Sequence, residues 1–234
     1  MKFIRKWLTR LLVAVLISGL LLILAGYIQY RTVIAETPLN EAIANVQSSE
    51  HYVSLEQIDP FFLRAVVAVE DRRFYERTGL DVRAIGRAAW TNLRNFEFLE
   101  GGSTIGQQVA KNLYFDYRFN ILRKVAEVFL LYDIEKTISK DETLELYVNM
   151  NYYGDGFTGI KRASWGYFRR QPDQLTLGQA SLLAGLPQSP SRFQLSNHFD
   201  RAKVRQKKVL NDMVETGVIT KQQAEEIYLE DVYE

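Results

Sequence analysis

The chain contains no cysteine, only two histidines and five prolines in 234 residues. Without cysteine there is no disulfide scaffold, no thiolate metal site and no cysteine nucleophile. The compartment stays open on that count, because an oxidising space permits disulfides without requiring them. His51 and His198 are too few and too far apart to suggest a histidine-built metal centre. An excess of one charge is also missing: 29 Lys and Arg face 28 Asp and Glu, a formal charge of +1. Nothing in that balance describes a polyelectrolyte made to bind nucleic-acid phosphates. No G-x-x-x-x-G-K-[ST] pattern is present, which leaves a nucleotide P-loop unsupported. Internal repeats, low-complexity runs and strand-like alternation are likewise scarce. What is there is 47% hydrophobic and 24% charged, the composition of an ordered globular chain. Any chemistry must rest on carboxylates, amides, hydroxyls and cations.

Leu11 to Ile28 is an uncharged run of 18 residues. As a helix it rises about 27 Å, close to the thickness of a bilayer's hydrocarbon. Lys2, Arg5, Lys6 and Arg10 precede it, and only Arg31 follows closely. The positive-inside rule then keeps residues 1–10 in the cytoplasm and sends the remainder outward as a single-pass membrane protein. A cleaved signal peptide is the alternative, but its apolar region is usually shorter, and the cleavage pattern near Ala25 is poorly formed. Residues 29–59 lack strong periodicity and read as a stalk or entry segment. Residues 60–234 are enough for one extracytoplasmic domain, mainly α.

Several helices can be placed. Asp59-Pro60 is a cap followed by proline at the first helical position, and the apolar FFLRAVVAV after it describes a buried helix. It runs into Glu70-Asp71. A carboxylate at the mouth of such a helix loses solvation and suits proton transfer; a helix end that simply solvates its acids reads the same way. Gly101 to Asn112 (GGSTIGQQVAKN) combines a tight glycine turn with a capping box, Thr104 and Gln107. Gln108 and Lys111 follow one and two turns on, so a hydroxyl, an amide and an ammonium form a row suited to pyrophosphate, on a helix start that itself attracts anions. A glycine loop capping an ordinary helix has the same pattern. Ile121 to Ile138 is amphipathic, with Leu122, Val125, Ala126, Phe129 and Leu130 as its stripe. Arg123 and Glu127 sit four apart on its margin, either as a surface ion pair or as a second active carboxylate held by a cation. Further helices are expected over 142–151, with Glu145 hydrogen-bonded rather than catalytic, and over 176–186. Two more follow from Arg201 to Ile227, parted at Gly217. The basic stretch Arg201, Lys203, Arg205, Lys207 and Lys208 reads as a solvated face or one turned to anionic lipid.

Five segments then stand in order: EDRRF (70–74), GGSTIGQQVAKN (101–112), RKVAE (123–127), ELYVN (145–149) and LAGLPQSPS (183–191). Together they resemble the five-motif signature of the peptidoglycan glycosyltransferases, the polymerase domains of bifunctional penicillin-binding proteins and of the shorter monofunctional enzymes. Separated by 57 residues, Glu70 and Glu127 match that pattern. The resemblance implies a mainly α, two-lobed, lysozyme-like domain behind a single transmembrane helix. It implies polymerisation of lipid II into β-1,4-linked glycan strands by an inverting transfer that releases undecaprenyl pyrophosphate.

By the same resemblance Glu70 is the general base on the acceptor hydroxyl and Glu127 the donor-side carboxylate. Gln108, Lys111, Arg123 and Lys124 would bind the phosphates, with Ser103, Thr104 and Asn112 shaping the pocket. Asp71 and Phe74 of the first motif count among the substrate-binding positions. No cofactor is required, although Mg²⁺ or Mn²⁺ can bridge pyrophosphate oxygens. The implied partners are lipid II, the nascent glycan, the bilayer and other cell-wall synthesis proteins, with no nucleic acid.

The chain departs from the pattern in two places: Arg77 stands where a histidine is usual, with consequences expected for phosphate affinity or metal response, and Gly106 replaces a hydroxyl residue. The stretch 92–101 carries Leu93, Phe96, Phe98 and Leu99, which suit either a loop touching the bilayer or core packing. No serine is followed three residues later by lysine, so the transpeptidase nucleophile pattern is missing and a monofunctional polymerase is expected. A lytic or hydrolytic muramidase and a non-catalytic scaffold of cell-wall assembly are the rival readings. The cationic row argues against the first, since a neutral glycan brings no pyrophosphate.

Overall fold

The computed structural model describes residues 2–96, 101–115 and 120–233. Among them the architecture is helical: α1 (Lys2–Glu36), α2 (Leu39–Gln47), α3 (Pro60–Glu70), α4 (Val82–Asn95), α5 (Ile105–Tyr114), α6 (Ile121–Thr137), α7 (Lys140–Met150), α8 (Ile160–Phe168), α9 (Leu177–Gly185), α10 (Pro190–Phe193), α11 (Leu195–Glu215) and α12 (Lys221–Leu229). Extended pairing among the described residues is one bridge, Tyr152 with Thr158. Local signals explain most boundaries. Asp59 accepts from the backbone of Phe61 and Phe62 ahead of Pro60. Capping boxes open α5 (Thr104, Gln107), α7 (Ser139, Glu142), α9 (Thr176, Gln179) and α12 (Thr220, Gln223).

The core is a packing of α3, α9 and α11 against one another, joined by α5 and α7. Phe62, Ala65 and Val66 of α3 and Ala180, Leu183 and Ala184 of α9 are buried. Their alternation of large and small side chains lets the two helices interdigitate closely.

Two expectations change. Of the two readings for 29–59, stalk or entry segment, the structure shows a segment that enters the domain rather than a free stalk. Helix α1 runs on to Glu36, α2 follows, and Leu39, Ile43, Val53 and Ile58 enter the core. This segment is held from α7, where the Glu145 carboxylate accepts from the Tyr52 hydroxyl at 2.7 Å and the Leu55 amide at 2.9 Å, and Asn149 bonds both backbone groups of Val53. Its apolar positions answer to that neighbour rather than to a long period of their own. Glu145 is thus hydrogen-bonded, as expected.

The second change concerns α1, which is long and apolar enough to cross a membrane and whose apolar window is almost wholly uncovered by protein. Its last turns lie on α6: Tyr27 and Tyr30 stack around Phe129 at 5.2 and 5.6 Å, and the Tyr30 hydroxyl bonds Asp133. Gly26, two residues before the end of the apolar run, abuts Val125 with no room for a β-carbon. The stripe expected on α6 is therefore divided. Val125 and Phe129 meet α1, while Ala126, Leu130, Leu131 and Ile134 face the core. The first half of α6 consequently stands level with the end of the apolar run.

Helix α4 stands out from this body as the described part of a smaller lobe, with Ala88 its one buried residue. Val82, Trp90, Leu93 and Phe96 are exposed, Phe96 at 91%. Leu93 lies within the helix and Phe96 ends it in the left-handed conformation, whereas Phe98 and Leu99 lie outside the described residues.

Candidate active site

Glu70 is the last residue of α3 and is buried to about nine-tenths, its side chain 10% exposed. Of the two readings open for this acid, the solvated helix end is excluded. Its Oε2 accepts from the Gln108 side-chain amide at 2.8 Å, and its Oε1 lies 3.5 Å from the guanidinium of Arg205. Glu127, in the middle of α6, is fully buried, so its pairing with Arg123 is no surface ion pair. Lys124 Nζ reaches Oε2 at 2.7 Å and Arg123 Nε reaches Oε1 at 3.1 Å. The same Lys124 ammonium donates to the Ser103 hydroxyl at 2.8 Å, tying the glycine turn before α5 to α6.

Lys111, half-buried on α5, feels both acids. Burial pushes its pKa down, and the Glu127 carboxylate first, then Glu70, pull it back up, against the cations Arg123 and Lys124. Glu70 reaches α5 at Gln108, and Glu127 is tied through Lys124 to Ser103 just before α5, so both acids border the first half of this helix with the Lys111 ammonium within electrostatic reach of each.

The remaining sequence-derived positions divide. Gln108, Lys111, Arg123, Lys124 and Ser103 stand around the two acids. Thr104 is 2% exposed, and its hydroxyl is spent on the Gln107 amide as the cap of α5. Asn112 turns toward Asn151, 3.0 Å away, and lines a cavity of about 430 Å³ with Val33, Asn45 and Tyr114, away from the cation row. Asp71 and Phe74 do not face the cleft. Asp71 is 6% exposed and bonded to Arg77 and to the Ile105 amide, and Phe74 is 1% exposed, edge-on to Tyr75 with the Lys140 ammonium over its ring. Both lie where the chain turns inward after α3, so they support the cleft from behind. Arg77 is equally committed, to Asp71 and the Gly79 carbonyl. It is not a phosphate ligand in this arrangement. Gly106 lies where α5 meets α6, with Leu131 occupying the place a side chain would take.

Sequence reasoning missed Arg205. It sits in the basic stretch read as a surface face, yet it is 8% exposed and reaches Glu70 from α11, with its Nε donating to the Gly185 carbonyl. The available signal was its heptad-like place four residues before Val209 and three after Ala202, which are both buried.

A helical body with two acids and a cation row around one cleft, beneath an apolar helix, defines a class. The Transglycosylase family model matches residues 36–214, and the chain belongs to that family. Among its relatives, penicillin-binding protein 1A of Neisseria gonorrhoeae is 44% identical over 169 residues, covering 72% of this chain and 21% of that protein. Penicillin-binding protein 1A of Escherichia coli is 43% identical over 171 residues, covering 73% and 20% respectively. The chain thus spans about a fifth of the length of these relatives. The crystal structure of penicillin-binding protein 1A from Haemophilus influenzae aligns with a TM-score of 0.47 at 19% identity, over 77% of this chain and 17% of that one.

Proposed function

We propose that this chain polymerises lipid II, a disaccharide-pentapeptide carried on undecaprenyl pyrophosphate, into β-1,4-linked glycan. The observation that carries the reading is two buried carboxylates bordering α5, one bonded to Gln108 and the other paired with Arg123 and Lys124, with Lys111 within electrostatic reach of both. Glu70 takes the proton of the acceptor sugar's 4-hydroxyl, a poor nucleophile at neutral pH. The hydroxyl oxygen forms the new bond to the donor's anomeric carbon as that carbon's bond to the pyrophosphate oxygen breaks. The bonding pair leaves on the pyrophosphate, and displacement from the opposite side inverts the centre. Lys111, Lys124 and Arg123 receive the growing negative charge, with Glu127 holding the latter two in place.

The position of α6 supports a membrane-borne substrate. Because Val125 meets α1 at Gly26, Lys124 stands close to the level at which the apolar run ends, which is where a lipid's pyrophosphate lies. The amino terminus is cytoplasmic and the cleft extracytoplasmic in this reading, by the charge bias of residues 1–10. The exposed apolar side chains of α4 dock the smaller lobe on the same surface.

A resident metal does not fit. Both oxygens of Glu127 are occupied by cations, and no group of three or more His, Cys, Asp or Glu able to hold an ion occurs among the described residues. In this reading Mg²⁺ or Mn²⁺ arrives only with the substrate's phosphates, and no step runs through it.

Incubation of the full chain with lipid II in detergent, and separately with purified sacculi, tests the proposal. Polymer of increasing length from lipid II is expected. Soluble muropeptide fragments from sacculi, with no polymer from lipid II, would establish the muramidase instead, and silence in both assays would leave the scaffold.

A further inference from the structure

Arg77 lies in the loop between α3 and α4, 9% exposed at its side chain. Its guanidinium donates to the Asp71 carboxylate and the Gly79 carbonyl, and its Nε stands 3.7 Å from Asp81. Asp71 in turn accepts from the Ile105 amide at 3.1 Å. That amide belongs to the first residue of α5, one of the donors that a helix start leaves without an intrahelical partner. The consecutive acids Glu70 and Asp71 therefore grip α5 at two points three residues apart, Glu70 at Gln108 and Asp71 at Ile105. Asp81 caps α4 through the Ala84 amide and also pairs with Arg73, while the Gly79 amide donates to Glu135 of α6. One guanidinium thus joins the end of α3 and the starts of α4 and α5.

We propose that Arg77 is a positioning residue for the transfer reaction, acting through Asp71 on the first turn of α5 and so on the grip of Gln108 on Glu70. This rests on the function proposed above. The planar fork suits the task, since it serves a carboxylate and a carbonyl at once, which a lysine's point charge cannot do in the same geometry. Burial pushes the Asp71 pKa up, and Arg77 is the largest influence in the opposite direction, followed by the Ile105 amide, with Asp81 adding to the rise. Those groups, with Glu70 next in the chain, are the charged and hydrogen-bonding neighbours of Asp71. Without the guanidinium Asp71 takes a proton at higher pH, and as a neutral acid it holds the Ile105 amide more weakly. Arg77 is too enclosed to reach a phosphate while these contacts last.

The test compares wild type, R77K, R77M, D71N and R77M/D71N as full chains in detergent, each confirmed folded by circular dichroism at the assay temperature. Two readouts are taken: deuterium exchange of the peptide over residues 101–112, and kcat and KM with lipid II. In R77M, faster exchange at the start of α5 is expected, with kcat reduced roughly 10- to 100-fold, the scale that a shift of about 1 Å at a reacting group brings. KM should stay within about twofold, because no substrate contact is lost. The acid limb of kcat moves to higher pH in R77M and less in R77K. R77M should add little in the D71N background. Unchanged exchange, an unchanged kcat, a raised KM at constant kcat, or independent effects of R77M and D71N would each overturn the inference. If R77M does not fold, R77K carries the same comparisons. Should wild type make no polymer, the proposed function fails, and the exchange data alone still decide whether Arg77 orders α5.

Discussion

Arg205 and Glu70 meet 3.5 Å apart, and the meeting depends on a residue that carries no side chain. A β-carbon on Gly185 would lie 2.9 Å from Cγ of Arg205 and 3.3 Å from Val209. The glycine of the LAGLP segment therefore admits the arginine stem, and its carbonyl receives the arginine Nε. The fifth motif and a residue beyond all five form one unit behind the acid.

Substitutions that separate charge from placement test this unit. R205Q is expected to lower kcat about 10- to 100-fold, within the range of a disturbed general base, and R205K to recover much of it. G185A keeps every charge and should still lower kcat by displacing the arginine stem. Equal rates in G185A and wild type would show that the glycine is not needed for this contact.

The two glutamates should fail differently. E70Q removes the proposed base and is expected to cost about 10²- to 10⁴-fold in kcat while changing the affinity for inorganic pyrophosphate less than E127Q does. E127Q releases Arg123 and Lys124 from a buried carboxylate. It should lower kcat and bind pyrophosphate more tightly, because the anion no longer competes with Glu127 for those cations. Calorimetric titration with pyrophosphate decides the matter, and weaker binding by E127Q would remove Glu127 from the phosphate side.

Lys111 is expected to set an alkaline limit. Burial lowers its pKa below the ordinary lysine value of 10.5, so it loses its charge at a lower pH than a free lysine does. Between the folded and unfolded values the unfolded chain binds more protons, and this group's contribution to stability rises with pH while its contribution to catalysis falls. K111R, charged throughout, is expected to move the alkaline limb of kcat/KM upward. An unmoved limb would assign it to another group.

Trp90 on α4 tests the proposed membrane contact of this helix. The chain has three tryptophans, at 7, 90 and 165. In W7F/W165F, reconstituted in vesicles, lipids brominated near the headgroup should quench the remaining fluorescence, as expected of an aromatic ring at a bilayer interface. Fluorescence indifferent to the brominated lipid would place α4 in water.

The sequence alone determined the elements whose signals are local. Asp59-Pro60, the capping boxes at Thr104, Thr176 and Thr220, and the uncharged run from Leu11 to Ile28 each act within a turn or two, so their helices were legible before any contact was known. The motif spacing likewise brought Glu70, Gln108, Lys111 and Glu127 into one expectation. Tertiary structure decided what depends on a distant neighbour. Residues 29–59 are ordered by Glu145 and Asn149 of α7, roughly ninety residues away in the chain. Asp71 and Phe74 share a motif with Glu70, yet the turn after α3 sends them inward, because a buried carboxylate needs the partners that Arg77 and Ile105 supply. Arg205 looks like its neighbours Lys207 and Lys208 in any list of charges. Only the crossing of α11 over α3 and α9 aims Arg205 at Glu70, while Lys207 and Lys208 stay exposed and Lys203 donates to the Tyr228 carbonyl.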